Sequence, residues 1–134
     1  MPALRKGAAR AGRSLDEVEI CMKPLIGTAP DEEALARVAE TVRARVAFYL
    51  STASYRRTFE LHGWGEWARR ASEPSRQGRW NELPHTVATI ATHDRIADRL
   101  RGRYGSRVQR IEFSIPVTTA DEREVLASIL AALR

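Results

Sequence analysis

A chain of 134 residues with 43% hydrophobic and 29% charged residues is one domain's worth of globular sequence, which excludes a disordered tail or a fibrous repeat. Its net charge of +5 attracts polyanions without demanding one, and a lone cysteine, Cys21, excludes an internal disulfide and points to a reducing compartment. No run approaches the ~18 apolar residues of a membrane span, and no continuous apolar segment marks a secretory signal, so the expected location is cytoplasmic.

Pro2 to Gly12 predicts a short basic helix with Leu4, Ala8 and Ala11 on one side and Gly12 as a stop. Ser14 and Glu17 have capping-box spacing, enough for one helical turn. Residues 18–27 are strand-like, with Pro24 marking an edge or an end because it cannot donate to a ladder. Thr28, Pro30, Asp31, Glu32 and Glu33 then form a helix start, with acids against the positive end of the helix dipole. The apolar series Leu35, Val38, Val42, Val46, Tyr49 and Leu50 keeps helical spacing to about Leu50. A second helix is predicted from about Ala53 to His62 and Gly63. Trp64 to Trp80 reads as a loop-rich excursion holding all three tryptophans and Arg69, Arg70, Arg76 and Arg79. Residues 87–92 predict a short strand, and Asp94 to Tyr104 a helix with Ile96, Ala97 and Leu100 inward, stopped at Gly105. A strand at 108–116 carries Val108, Ile111, Phe113 and Ile115. A capping box at Thr119 and Glu122 opens a terminal helix striped by Val125, Leu126, Ile129, Leu130 and Leu133.

Strands alternating with helices predict crossover units on a parallel sheet, an α/β class. Three strands cannot close an eight-stranded barrel, which takes about 250 residues. The chain therefore reads as the last part of a larger α/β domain.

The run Phe48 to Trp64 concentrates aromatics, hydroxyls, paired arginines and a histidine. Two readings stand: a helix junction capped by Ser51 or Thr52, or a ligand pocket lined by hydroxyls. No metal site is legible, since His62, His85 and His93 lack the close helical pairing of zinc ligands. Neither a glycine-rich phosphate loop nor a nucleophile elbow occurs. Most carboxylates sit at helix starts, where the dipole accounts for them. The tryptophan–arginine excursion is either an indole-packed insertion or a basic module binding polyanions or a protein partner, with Arg69, Arg70, Arg76 and Arg79 as phosphate contacts. Nucleic acid is not the expected partner, for lack of a recognised nucleic-acid fold or a continuous basic helix.

Phe48-Tyr49-x-Ser51-Thr52-x-x-Tyr55-Arg56, followed by Glu60-Leu61-His62-Gly63-Trp64, resembles a signature of luciferase-like monooxygenases. It is most similar to their deazaflavin-dependent branch, which uses coenzyme F-420. Ser75-Arg76-Gln77-Gly78-Arg79-Trp80, Arg101-x-Arg103-Tyr104-Gly105 and the final strand through Pro116 follow in the expected order, so the resemblance covers nearly the whole chain. It implies a (β/α)8 TIM barrel with the cofactor at the carboxyl face of the strands. Residues 1–134 would be its C-terminal part alone, a single incomplete domain with a helical insertion at about 53–86.

The same resemblance implies an oxidoreductase that moves a hydride between coenzyme F-420, or FMN as the alternative, and a small organic substrate, without a metal. The absent N-terminal half would supply most cofactor contacts, so the fragment alone is expected to be inactive. Tyr49, Ser51, Thr52 and Tyr55 would be pocket-lining hydroxyls, Arg56 an anion clamp and Trp64 a packing wall; no catalytic acid or base is assigned. Unpaired barrel edges imply association through those edges or a homo-oligomer. Two features depart from the family. Thr89-Ile90-Ala91-Thr92-His93 stands where a Val-Val-Gly-Thr-Pro-like turn is usual. A simple crossover helix from Thr28 to Leu50 would also carry Tyr49 to the bottom of the barrel, whereas the resemblance implies a path to the substrate end.

Overall fold

The structure, a computed structural model, describes residues 1–72 and 87–134. It divides into two compact units, Leu25–Ile96 and Met1–Pro24 with Ala97–Arg134.

The first unit is a parallel β-α-β arrangement. Strand β2 (Ile26–Ala29) pairs in parallel with β3 (Thr89–Thr92), in a register that runs from Ile26 opposite Thr89 to Ala29 opposite Thr92. Between them, helix α2 spans Glu32–Ser51. Asp31 starts it, its side chain accepting from the Ala34 amide at 2.8 Å. Glu32 and Glu33 complement the dipole, and Glu33 reaches Arg37 one turn on. Thr28, expected in that helix start, lies instead in β2. Leu35, Ala39, Val42, Val46 and Leu50 are buried, the helical period seen in the sequence.

Gly27 lets the helix lie close to the strand. A Cβ there would stand 3.0 Å from Val42 Cγ2 and 3.1 Å from Val38 Cγ1. Gly27→Val is therefore expected to destabilise this unit by about 1–3 kcal/mol through overpacking, read as a lower urea midpoint at unchanged m-value.

The contact also fixes direction. The helix begins past the carboxyl end of β2 and is level with Gly27 at Val38 and Val42, so its later turns run beyond the amino end of the strand. Tyr49 lies about 10 Å further along the axis than Val42, at 1.5 Å per residue.

The helix predicted from Ala53 is a 3-10 turn (Ala53–Tyr55) followed by α3 (Arg56–Leu61), ended by Gly63 at φ 75°. The loop expected from Trp64 is corrected in its first half, where Gly65–Ser72 forms helix α4 with Ala68 fully buried. An inward-facing Ala68 and a half-buried Trp67 supply an apolar side that loop chemistry does not require. The rest of the excursion, with Arg76, Arg79 and Trp80, lies outside the described residues, as does His85. The core joins Ala29, Leu35, Ala39, Val42, Val46, Leu50, Phe59, Ala68, Ala88 and Ile90, with Tyr49, Trp64 and Trp67 packed against it.

In the second unit, α1 (Pro2–Arg10) and a 3-10 turn (Leu15–Glu17) with its capping box form as the sequence predicts. Strand β1 (Cys21–Met22) pairs in parallel with β4 (Arg110–Ile111). The single strand expected at 18–27 is thus two strands in two different sheets, split around Pro24, which has no amide to extend either ladder. The strand expected at 108–116 shrinks to β4, because its partner ends at Met22 and the last ladder bond is Glu112 N to Met22 O at 2.8 Å. Helix α5 (Ile96–Tyr104) opens on the last residue of the first unit, and its Ile96, Ala97 and Leu100 are buried as predicted. Terminal helix α6 (Ala120–Leu133) has its capping box, with Thr119 Oγ1 accepting from Glu122 N at 3.2 Å. Of its predicted stripe only Ile129 is buried, and Leu130 is 40% exposed.

Candidate functional site

Pleating sends alternate residues to opposite faces. Gly27, Ala29 and Ile90 face α2, so Thr28, Thr89, Ala91 and His93 share the opposite face, where Thr89 and Ala91 are buried and His93 is half-buried. At the carboxyl end of that face, Thr28 Oγ1 and His93 Nδ1 stand 3.0 Å apart, a hydrogen bond across the two strands. The His93 amide donates to Ala29 O at 2.9 Å, which extends the strand pairing and fixes the backbone under the ring. With Nδ1 engaged by Thr28, Nε2 is the ring's second hydrogen-bonding atom.

Burial pushes the His93 pKa below the ordinary 6.5, and the neighbouring Asp94 carboxylate offsets part of that. Asp94 is itself held below the usual carboxylate range, chiefly by a hydrogen bond from the Thr92 side chain, with Arg95 contributing. At neutral pH the strand ends therefore present a neutral imidazole, a hydroxyl, and a carboxylate offset by an arginine. That set suits an uncharged hydrogen-bonding partner better than a phosphate.

The histidine also sets a pH dependence. Its folded pKa is below its unfolded one, so its contribution is present above about pH 6.5 and is lost as pH falls through the lowered folded value. The expected result is a fall in stability as pH drops below about 6.5, reduced in His93→Gln, measured by urea melts at several pH values.

Helix α2 puts the run from Tyr49 to Trp64 at the other end of the strands. There Tyr49 meets Phe48 and Tyr55 edge-on, with ring centroids 5.7 and 5.4 Å away. Ser51 Oγ and Thr52 Oγ1 both donate to Phe48 O, at 2.9 and 2.8 Å, so these hydroxyls close the C-terminal end of α2. Tyr55 is 43% exposed and Arg56 lies on the surface. Trp64 packs on the core, stacked against His62 at 5.2 Å and near Phe59 at 6.4 Å. A shallow groove of about 330 Å³ on α2 is lined by Ala44, Arg45, Phe48 and Tyr49. The structure thus gathers Tyr49, Ser51, Thr52 and Tyr55 at one helix end, with Arg56 next in chain. The path is the simple crossover.

The sequence does not bring Thr28 and His93 together, because Thr28 reads as a helix-start residue and His93 reads as one of three histidines without zinc pairing and as the end of a turn that departs from the family's. One signal could have found them: each lies at the carboxyl end of an expected parallel strand, where α/β sheets place ligands. Among the described residues no group of three His, Cys, Asp or Glu could hold a metal ion, and no helix is long and apolar enough to cross a membrane. Of the arginines proposed as phosphate contacts, Arg69 is an exposed residue of α4.

The family model described as luciferase-like monooxygenase matches residues 1–110. Uncharacterized proteins of Mycobacterium bovis and of two Mycobacterium tuberculosis strains are each 31% identical to the chain over 142 residues. Those alignments cover 100% of this chain and 41% of each relative, so the chain spans about two fifths of their length. No solved structure matches the chain.

Proposed function

The chain belongs to the luciferase-like monooxygenase family, and from that premise we propose that it forms the C-terminal part of a (β/α)8 barrel oxidoreductase that uses coenzyme F-420, with FMN as the alternative. The observation that carries this reading is the β2–α2–β3 unit, whose paired parallel strands end in the Thr28–His93 hydrogen bond on the face away from α2. Carboxyl ends of parallel barrel strands are where this architecture binds ligands.

The bound cofactor supplies hydride-transfer chemistry between its ring and a small organic substrate. This chain's part is orientation. Thr28 fixes the His93 ring, and Nε2 offers one hydrogen bond to an uncharged polar edge of the cofactor. Ala91, in place of the family's glycine, keeps a methyl group on that same face. Tyr49, Ser51, Thr52, Tyr55 and Arg56, with Trp64 as a packing wall, are a second candidate pocket, favoured by the Tyr49–Tyr55 contact and by the exposure of Arg56. Most cofactor contacts come from the rest of a family-length protein, which acts in the cytoplasm. The test is ligand binding: coenzyme F-420 or FMN titrated into the family-length protein, with His93→Phe weakening binding and Tyr55→Phe leaving it unchanged. Equal loss in both variants would move the ligand to the Tyr49–Trp64 end.

A further inference from the structure

Among the described residues of the unit Leu25–Ile96, the large apolar side chains left exposed all fall between Phe48 and Leu61: Phe48 at 66%, Tyr55 at 43% and Leu61 at 80%. The chain around them is basic. From Thr41 to Phe59 it carries Arg43, Arg45, Arg56 and Arg57 and no Asp or Glu, and all of these arginines but Arg43 are exposed. Local geometry gathers the two kinds of side chain. Arg45 and Phe48 line one shallow groove on α2 with Ala44 and Tyr49. The Phe48, Tyr49 and Tyr55 rings then meet edge-on in succession, and Arg56 follows Tyr55 in the chain. On α3, Arg57 and Leu61 are four residues apart and share the outer face, opposite the buried Phe59. Two carbonyls at this end of α2 also have partners: Phe48 O accepts from Ser51 and Thr52, and Tyr49 O from the Thr52 amide at 3.2 Å. The surface is thus apolar and cationic, with those two carbonyls already hydrogen-bonded.

We propose that this surface, built on Arg45, Phe48, Tyr55 and Arg56, docks the protein on an anionic lipid bilayer. Charge complementarity selects the occupant. Exposed arginines attract anionic headgroups, and Phe and Tyr rings settle at the boundary between headgroups and acyl chains. A second copy fits poorly, because a two-fold contact centred here sets arginine against arginine. A folded acidic partner anchors its side chains in well-packed pockets, and this groove is shallow. A bilayer needs no pocket, since the rings project into it. The surface shares Tyr55 and Arg56 with the second candidate pocket but is carried by Arg45 and Phe48, which that pocket does not include. It is independent of the cofactor reading, since Thr28 and His93 lie at the other end of the strands.

Sedimentation of the family-length protein with lipid vesicles is the test. Vesicles of equal parts phosphatidylcholine and phosphatidylglycerol should carry the protein down, and pure phosphatidylcholine vesicles should not. Phe48→Ala, at an exposed position where folding is expected to change little, should lower the partition coefficient roughly tenfold. Arg45→Gln and Arg56→Gln should each lower it about fivefold. Arg37→Gln, the same charge change two turns earlier on α2, should shift it less than about twofold, because the attraction falls off within a Debye length. Equal losses for Arg37→Gln and Arg45→Gln would overturn the proposal, leaving only the attraction of net charge. Binding to polyglutamate that Phe48→Ala weakens as much as vesicle binding would overturn it in favour of acidic peptides. A concentration-dependent dimer in lipid-free sedimentation that Phe48→Ala dissolves would overturn it in favour of a second copy. Failure to sediment with the mixed vesicles while coenzyme F-420 or FMN still binds would overturn the docking surface alone and leave the functional reading standing.

Discussion

Leu50→Ala is expected to cost about 2–5 kcal/mol, among the larger stability losses of any single side-chain truncation in the unit Leu25–Ile96. Leu50 is 2% exposed and belongs to the cluster that includes Val46, Phe59, Ala68 and Ala88. It is the last buried residue of α2, where the chain leaves for α3 and α4, so its removal leaves a cavity between three helices that cannot all close at once. Phe48, two residues earlier and 66% exposed, provides the control. Phe48→Ala is expected to stay within about 0.5 kcal/mol of the parent. Urea unfolding of the two variants decides the matter, and equal losses would mean that α2 is rotated from the orientation described.

Breaking the Thr28–His93 pair carries the largest expected effect on function. Thr28→Val with His93→Phe removes both polar atoms while keeping the volume near its original value. Loss of a ligand hydrogen bond from a positioned donor amounts to about 1–3 kcal/mol, so cofactor affinity in the family-length protein is expected to fall roughly tenfold to a hundredfold. Tyr55→Phe and Arg56→Ala should change it by less than about twofold, since both lie at the opposite end of the strands. The placement implied by the resemblance gives another pattern, with Arg56 and Tyr55 impairing turnover. Parallel fluorescence titrations of the two sets separate these accounts.

Which features could be read from sequence follows from their physical range. Helix starts are local, and the capping boxes at Ser14 and Thr119 form where a four-residue window places them. The buried stripe of α2 is equally legible, because a period of 3.6 over twenty residues leaves one face to hide. Strand extents were not legible, because a ladder requires two partners and only one of them is in view. Residues 108–116 have the alternation of a strand yet pair over two residues, and Pro24 divides an apolar run between two sheets. The same non-locality hid Thr28 and His93, which are 65 residues apart and meet through the register of β2 on β3. Conversely, the concentration of hydroxyls at Ser51 and Thr52 looked chemical and has a local use, since both donate to one carbonyl at a helix end.

The central claim is that this chain works as part of a flavin- or deazaflavin-dependent oxidoreductase, and ligand binding to the family-length protein tests it most directly. Coenzyme F-420 and FMN, each titrated against the protein and followed by fluorescence, should give saturable one-to-one binding for one of the two, with F-420 the expected ligand. No binding of either cofactor, together with polyanion binding that weakens steeply with added salt, would contradict the account and establish the chain as a basic binding module.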